Sequence, residues 1–308
     1  MSPPRAKQFP SELKVFKSAI WDWLFLYNIY LEGMEKTNSP WRIISTAVYG
    51  APNEGKIYGM LEVDVTEAWD MIRRHRAEGR RITMTHLVAT AVGRAIGWDI
   101  PEMNAFVKRG TIVQRDEVIV TVAVNMHGGK EMTSVKLFDA HKKTVFEIAD
   151  EIRNRVAKAR GGDDNDTMDN KSFMAKIPWP FRRMAFLLFR FITNTLGIQI
   201  KSMGLGHNAF GSILLSNIGS HGLSTGWAAL FPGSKLPAVL VMGKEEDKAV
   251  VRDGEIVIRK ILPLTGTFDH RIMDGYHGGM LAHHIKRYLE NADLLTEAPL
   301  ELKEEEAV

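Results

Sequence analysis

Residues 265–275 read TGTFDHRIMDG. An apolar run over 261–268 ends in Asp269, His270 and Arg271, and four residues after the histidine Asp274 and Gly275 lead into a helix-like segment. The pattern is a strand that delivers one imidazole and two carboxylates to the loop before a helix. Reactive side chains are concentrated on loops held by rigid elements. An imidazole can take a proton from a thiol or hydroxyl and return it. Asp274 is close enough to order the loop through Arg271 or another basic group. An isolated His-x-x-x-Asp-Gly is more often an ordinary polar residue and a turn, so the segment has to be read with its surroundings.

Working outward, the preceding residues form a hairpin pattern. Strands over 248–251 and 255–261 flank Asp253 and Gly254, a dipeptide suited to a two-residue turn. The strand 261–268 follows, and the last helix runs from about 276 to 291. Upstream, GSILLSNIG (211–219) and AVLVMG (238–243) read as buried strands. In the first half, KIYGMLEVDV (56–65) ends in strand-like alternation. Thr66 is expected to cap a helix closed by Gly79, and Thr85 a second helix that stops before Pro101. Strands are expected over 110–113, 117–124 and 131–137, with a turn at Gly128 and Gly129. A helix over 141–160 carries Val145, Ile148, Ile152 and Val156 on one face. Strands and helices in this order, with several antiparallel pairings, predict an α+β fold: a two-layer α/β sandwich with a mixed sheet.

Composition narrows the chemistry. The chain has 308 residues, 45% hydrophobic and 25% charged, a globular balance. It contains no cysteine, which excludes a disulfide scaffold, a thiolate metal site and a cysteine nucleophile. A net charge of +3 is too small to point to nucleic acid. No His-x-His or Glu-x-x-His spacing is present, and no metal is expected. His283 and His284 are adjacent on one helix and point apart. His277 is expected at a surface position, and His207 and His221 in loops. Two apolar stretches, 19–31 and 180–196, are interrupted by Asp22, Asn28, Arg182, Arg183 and Arg190. Neither is a spanning helix. Packing against the protein is the favoured reading, and peripheral membrane contact through 180–196 the weaker one. These features predict a cytoplasmic protein.

FDHRIMDG (268–275) resembles Asp-His-Arg-x-x-Asp-Gly, the active-site signature of the acyltransferase catalytic domain of the 2-oxoacid dehydrogenase complexes. That family has a chloramphenicol acetyltransferase-like fold. GSILLSNIGSHG (211–222) and LPAVLVMGK (236–244) resemble its later blocks, and LEVDVTEAWDMI, ITMTHLVATAVGRAI and PEMNAFV its earlier ones, in the same order. The resemblance covers about 56–160 and 211–291. It implies that His270 is the general base toward the thiol of coenzyme A or dihydrolipoamide, and that Ser216 donates a hydrogen bond to the tetrahedral oxyanion. It implies that Asp274 holds the loop, that Arg271 and Asp269 support it, and that Asn104 has a supporting place. Coenzyme A or acyl-CoA is then a substrate. Serine and histidine come from adjacent subunits in this family, so a homotrimer with active sites at subunit interfaces is expected.

The chain also departs from the family pattern. Residues 1–40 read as a proline-containing arm and a helix, 41–295 as one catalytic domain, and 296–308 as a charged tail. Within 161–210 lies an insertion with an acidic loop, GGDDNDTMDN. No lipoyl domain is read upstream, so a lipoyl group is expected only from another protein, a lipoyl-bearing partner or a dehydrogenase component. The KEEEAV ending favours an isolated trimer over a cage. Two functions follow. The first is an acyltransferase between coenzyme A and an acceptor thiol or other small acceptor. The alternative is a non-catalytic scaffold or regulatory subunit of a 2-oxoacid dehydrogenase complex.

Overall fold

The structure is a computed structural model, and it describes residues 55–126, 131–161, 184, 187–188, 191–198, 208–230 and 234–299. The expected arm and helix over 1–40, the Gly128 and Gly129 turn, the acidic loop, most of the 180–196 stretch and the end of the tail lie outside the described residues.

The elements are β1 (Lys56–Asp64), α1 (Thr66–Ala77), α2 (Met84–Arg94), β2 (Ala105–Lys108), β3 (Thr111–Gln114), β4 (Ile119–Met126), β5 (Glu131–Phe138), α3 (Val145–Gly161), β6 (Ile213–Asn217), β7 (Ala238–Met242), β8 (Glu246–Arg252), β9 (Glu255–Asp269) and α4 (Gly275–Glu290). Seven strands form one sheet in the order β1-β9-β7-β6-β4-β5, with β8 paired to β9. β4, β6 and β7 run parallel and the other pairings are antiparallel, so the sheet is mixed as expected. β2 and β3 form a separate two-stranded ribbon.

Alternation along the strands builds two cores. Ile213, Leu215, Ala238, Leu240, Met242, Leu262 and Leu264 join the main core, which also holds Leu87, Val88 and Val92 of α2, Ile148 of α3 and Leu281 and Ile285 of α4. Their alternates, Leu214, Val239 and Val241, pack with Leu230 and Leu236 into a smaller cluster on the opposite face. Helices therefore cover one face, giving the expected two layers. Segments 210–230 and 234–236 contribute to the second cluster, under a loop rather than a helix.

Three details differ from the sequence reading. β9 is one strand of 15 residues, because its first half pairs with β8 and its second with β7 and β1. Thr66 is the first helical residue rather than the cap: its amide and hydroxyl donate to Asp64 Oδ1 at 3.1 and 2.7 Å. α2 is capped by Thr83, whose amide donates to His86 Nδ1 at 3.2 Å in a reciprocal capping box. The hairpin turn follows the sequence: Asp253 (φ 50°) and Gly254 (φ 85°) both take the left-handed conformation that this turn requires.

Candidate active site

The strand β9 ends at Asp269 with its amide bonded to the Pro237 carbonyl (2.8 Å), and the His270 amide continues to the Gly55 carbonyl at 2.6 Å. The chain then turns. Amides of Ile272 and Met273 donate to the Asp269 carbonyl at 2.9 and 3.0 Å. The turn brings the Met273 carbonyl to 2.8 Å from His270 Nδ1. A carbonyl only accepts, so Nδ1 carries the hydrogen and Nε2 is the basic nitrogen.

Each neighbour of His270 has a defined partner. Asp269 is buried and receives Arg271 through its backbone amide (3.1 Å), Nε (2.9 Å) and Nη2 (2.6 Å). The pair closes over the strand end: a carboxylate out of water is tolerable when a guanidinium and an amide satisfy it. Asp274 is the N-cap of α4. Its Oδ1 accepts the amides of Tyr276 and His277 at 3.1 and 3.3 Å, and His277 Nδ1 lies 2.7 Å away. A basic group that holds Asp274 is thus His277, within the expectation of Arg271 or another basic group, and Arg271 is engaged by Asp269. His277 is half-buried at the loop rather than on the surface.

Ser216 lies in β6 opposite Val241 of β7. It alternates with the inward-facing Leu215, so it shares a face with Leu214 and Val241, away from the helices. Its hydroxyl has no hydrogen-bond partner among the described residues. The next residue anchors the segment: Asn217 Nδ2 donates to Thr85 Oγ1 (3.0 Å) at the start of α2, and Asn217 Oδ1 accepts the Ser220 amide (3.1 Å). Beyond it, the loop lies directly on the turn that follows β7. The Ile218 amide donates to Met242, and Lys244 to Leu223, both at 2.9 Å. A Cβ on Gly243 would overlap the Ser224 carbonyl, and one on Gly219 the Gly243 carbonyl, so this contact needs glycine at both places.

Within one chain, Ser216 and His270 are not neighbours. Ser216 pairs with Val241, and Val241 with Thr265. His270 is five residues further along β9, roughly 17 Å, and two strands across, about 10 Å. Asn104 lies just before β2. It is buried, donates through Nδ2 to the Glu117 carbonyl (3.1 Å), and accepts the Arg115 amide at its own carbonyl (2.8 Å). Arg115 in turn donates to the Lys235 carbonyl (2.7 Å), two residues before Pro237. Asn104 therefore braces the strand end at second hand.

Sequence reasoning missed Lys235. It has positive φ (56°), lies 5.4 Å from the Phe106 ring, and its ammonium is pushed down to about 8 by burial and then by Lys108 and Arg115. Phe106 also stacks under Arg115. A lone lysine in a loop gives no sequence signal for such a cluster. Among the described residues, no group of three or more His, Asp or Glu is placed to hold a metal ion, and no helix is long and apolar enough to cross a membrane.

Comparisons with known proteins bear on this arrangement. The family described as "2-oxoacid dehydrogenases acyltransferase (catalytic domain)" matches residues 51–174 and 203–297. The dihydrolipoyllysine-residue acetyltransferase component of the pyruvate dehydrogenase complex of Staphylococcus epidermidis is 28% identical over 242 residues, covering 77% of this chain and 46% of that protein. Its Staphylococcus aureus counterpart is 27% identical over 271 residues, covering 86% and 53%. The chain spans about half the length of these curated relatives. Among solved structures, a probable dihydrolipoamide acetyltransferase from Listeria monocytogenes superposes with a TM-score of 0.57 at 19% identity, covering 85% of this chain and 92% of that one. The cubic core of a pyruvate dehydrogenase multienzyme complex gives 0.56 at 15% identity, covering 82% and 87%. At such identities these two establish a shared fold.

Proposed function

This chain belongs to the family of 2-oxoacid dehydrogenase acyltransferase catalytic domains, and on that premise we propose that it moves an acyl group between coenzyme A and an acceptor thiol of the dihydrolipoyl type. The observation that carries the mechanism is the 2.8 Å contact of His270 Nδ1 with the Met273 carbonyl. It orients the imidazole and leaves Nε2 as the base. Nε2 takes the proton of the attacking thiol, and the thiolate adds to the thioester carbonyl. Ser216 donates its hydroxyl hydrogen to the oxyanion of the tetrahedral intermediate. Collapse breaks the bond to the original sulfur, and the departing thiolate recovers the proton from His270. Asp274 and His277 hold the loop, while Asp269 and Arg271 hold the strand end.

The separation of Ser216 and His270 supports a homotrimer with each site between two subunits. One subunit supplies the histidine loop and its neighbour the serine strand. A lipoyl group takes part as a substrate carried on a lipoyl-bearing protein. The test is acyl transfer from acyl-CoA to dihydrolipoamide by the full chain. His270→Ala is expected to lower kcat by about 10²–10⁴-fold, with the oligomer unchanged by sedimentation. Equal turnover by the variant would overturn the assignment. The scaffold alternative has no observation in its favour comparable to the tautomer-fixing contact.

A further inference from the structure

Between the helix-facing side of β1 and β9 and the first half of α4 lies a cavity of about 300 Å³. This is the lower end of the range that small-molecule pockets occupy. Its walls are apolar, with Ile57, Leu61, Leu240, Leu264, Phe268 and Ile285 among them. The space exists because side chains are missing from both walls. Gly278 and Gly279 face it from α4, and a Cβ at either would meet no heavy atom of the described residues within 4 Å. Gly59 and Gly266 are partners across β1 and β9. A Cβ on Gly266 would overlap the Phe268 ring, and one on Gly59 would touch it at 3.4 Å, so the ring lies flat against the sheet instead of filling the gap. Glycine is among the least favourable residues inside a helix. Two in succession opposite an apolar wall provide volume, not helix stability.

The position of the cavity connects it with the imidazole. Asp274 and Gly275 line it at the N-terminus of α4, four and five residues after His270, and Phe268 lines it two residues before. Among the described lining residues the Asp274 carboxylate is the one acidic group, and it is already engaged by two amides and His277. An anionic acyl group would meet that carboxylate and apolar walls that cannot solvate it. We infer that this cavity is an acyl pocket: it takes the neutral aliphatic chain of a thioester substrate longer than acetyl, with the carbonyl toward His270, and Gly278 sets the chain length. A group of water's size occupies about 30 Å³, and a methylene is similar, so the cavity holds at most about ten such groups and has room for a chain of roughly four to eight carbons. The inference rests on the acyl-transfer reading above and adds the substrate class to it.

The experiment compares acetyl-, butyryl-, hexanoyl-, octanoyl- and succinyl-CoA with the parent chain and the variants Gly278→Leu and Gly278→Ala. In the parent, kcat/KM is expected to be higher for hexanoyl-CoA than for acetyl-CoA, and succinyl-CoA to be the poorest substrate. Gly278→Leu is expected to lower the hexanoyl-to-acetyl ratio about 10-fold or more, the scale on which filled or vacated apolar pockets discriminate, and Gly278→Ala to lower it less. An unchanged ratio in Gly278→Leu, or a preference for succinyl-CoA, overturns the inference. Calorimetric binding of hexanoyl-CoA against coenzyme A keeps the two readings separable. If the parent turns over no acyl-CoA, the transfer reading fails, yet tighter binding with chain length that is lost in Gly278→Leu still supports the pocket, and its absence sinks it. Thermal melting checks the fold of each variant, and Gly278→Ala carries the comparison if the leucine variant does not fold.

Discussion

A carbonyl oxygen cannot donate a hydrogen bond, and this fixes the polarity of the imidazole at residue 270: the Met273 oxygen, 2.8 Å from Nδ1, selects the tautomer whose Nε2 is basic. The sequence placed the histidine but could not show this contact, because it is made by a backbone atom whose position depends on the turn. The same holds for His277. Its spacing of three from Asp274 is visible in the chain, but only the start of α4 turns that spacing into a 2.7 Å contact. Ser216 is the opposite case. Its meaning came from the resemblance alone, and the structure adds a hydroxyl without a partner among the described residues, on the face away from the helices. In the proposed mechanism that hydroxyl acts only when the oxyanion has formed. Ser216→Ala is therefore expected to lower kcat by about 10²-fold or more, with KM for acyl-CoA changed far less. Steady-state kinetics across acyl-CoA concentrations separate the two parameters, and a loss confined to KM would contradict an oxyanion role.

At the level of elements, the existence and type of most helices and strands were legible from periodicity, whereas caps and pairings were not. Threonines stand at 66, 83 and 85, and sequence alone does not say which of them an N-terminus will use. The structure gives Thr66 to the Asp64 turn, Thr83 to the capping box of α2, and Thr85 to Asn217 of the serine strand. The capping box uses histidine where glutamate or glutamine is common. His86 must be unprotonated at Nδ1 to accept the Thr83 amide. Burial, followed by the charges of Arg153 and Arg76, pushes it down to about 4 from an ordinary 6.5. Below pH 6.5 the unfolded chain binds a proton that the folded chain refuses until about pH 4. Stability supplied by the neutral histidine is therefore full above pH 6.5 and is lost as pH falls through that window. At pH 5 the loss amounts to about 2 kcal/mol. His86→Gln keeps an acceptor for the Thr83 amide and does not titrate, so it is expected to remove about this much of the difference in unfolding free energy between pH 7 and pH 5. Denaturant titrations of parent and variant at the two pH values measure it. An equal acid sensitivity would place the effect on other groups.

On the scale of the whole molecule, the two-layer α+β arrangement followed from the order of elements, but the strand order did not. Nothing in a linear pattern says that β9, near the end of the chain, lies between β1 and β7. That order has a functional consequence, since it puts Ser216 and His270 two strands apart and at different levels of the sheet. At roughly 20 Å, they cannot serve one carbonyl from the same subunit without breaking the β6–β7–β9 ladder. If the proposed site lies between subunits, defects in the two residues should complement each other. A chain carrying His270→Ala still presents a good serine, and one carrying Ser216→Ala a good histidine. Each variant alone should be nearly inactive. Random mixed oligomers formed by co-expressing the two in equal amounts should recover about a quarter of the sites, because each interface needs an intact histidine from one side and an intact serine from the other. Sites contained within one chain would recover none, since every chain in the mixture has a defect. The measurement is acyl transfer by the purified mixed oligomer against each parent variant. A mixture no more active than its components would refute the shared site and leave the separation of Ser216 and His270 to be closed by a rearrangement of the sheet.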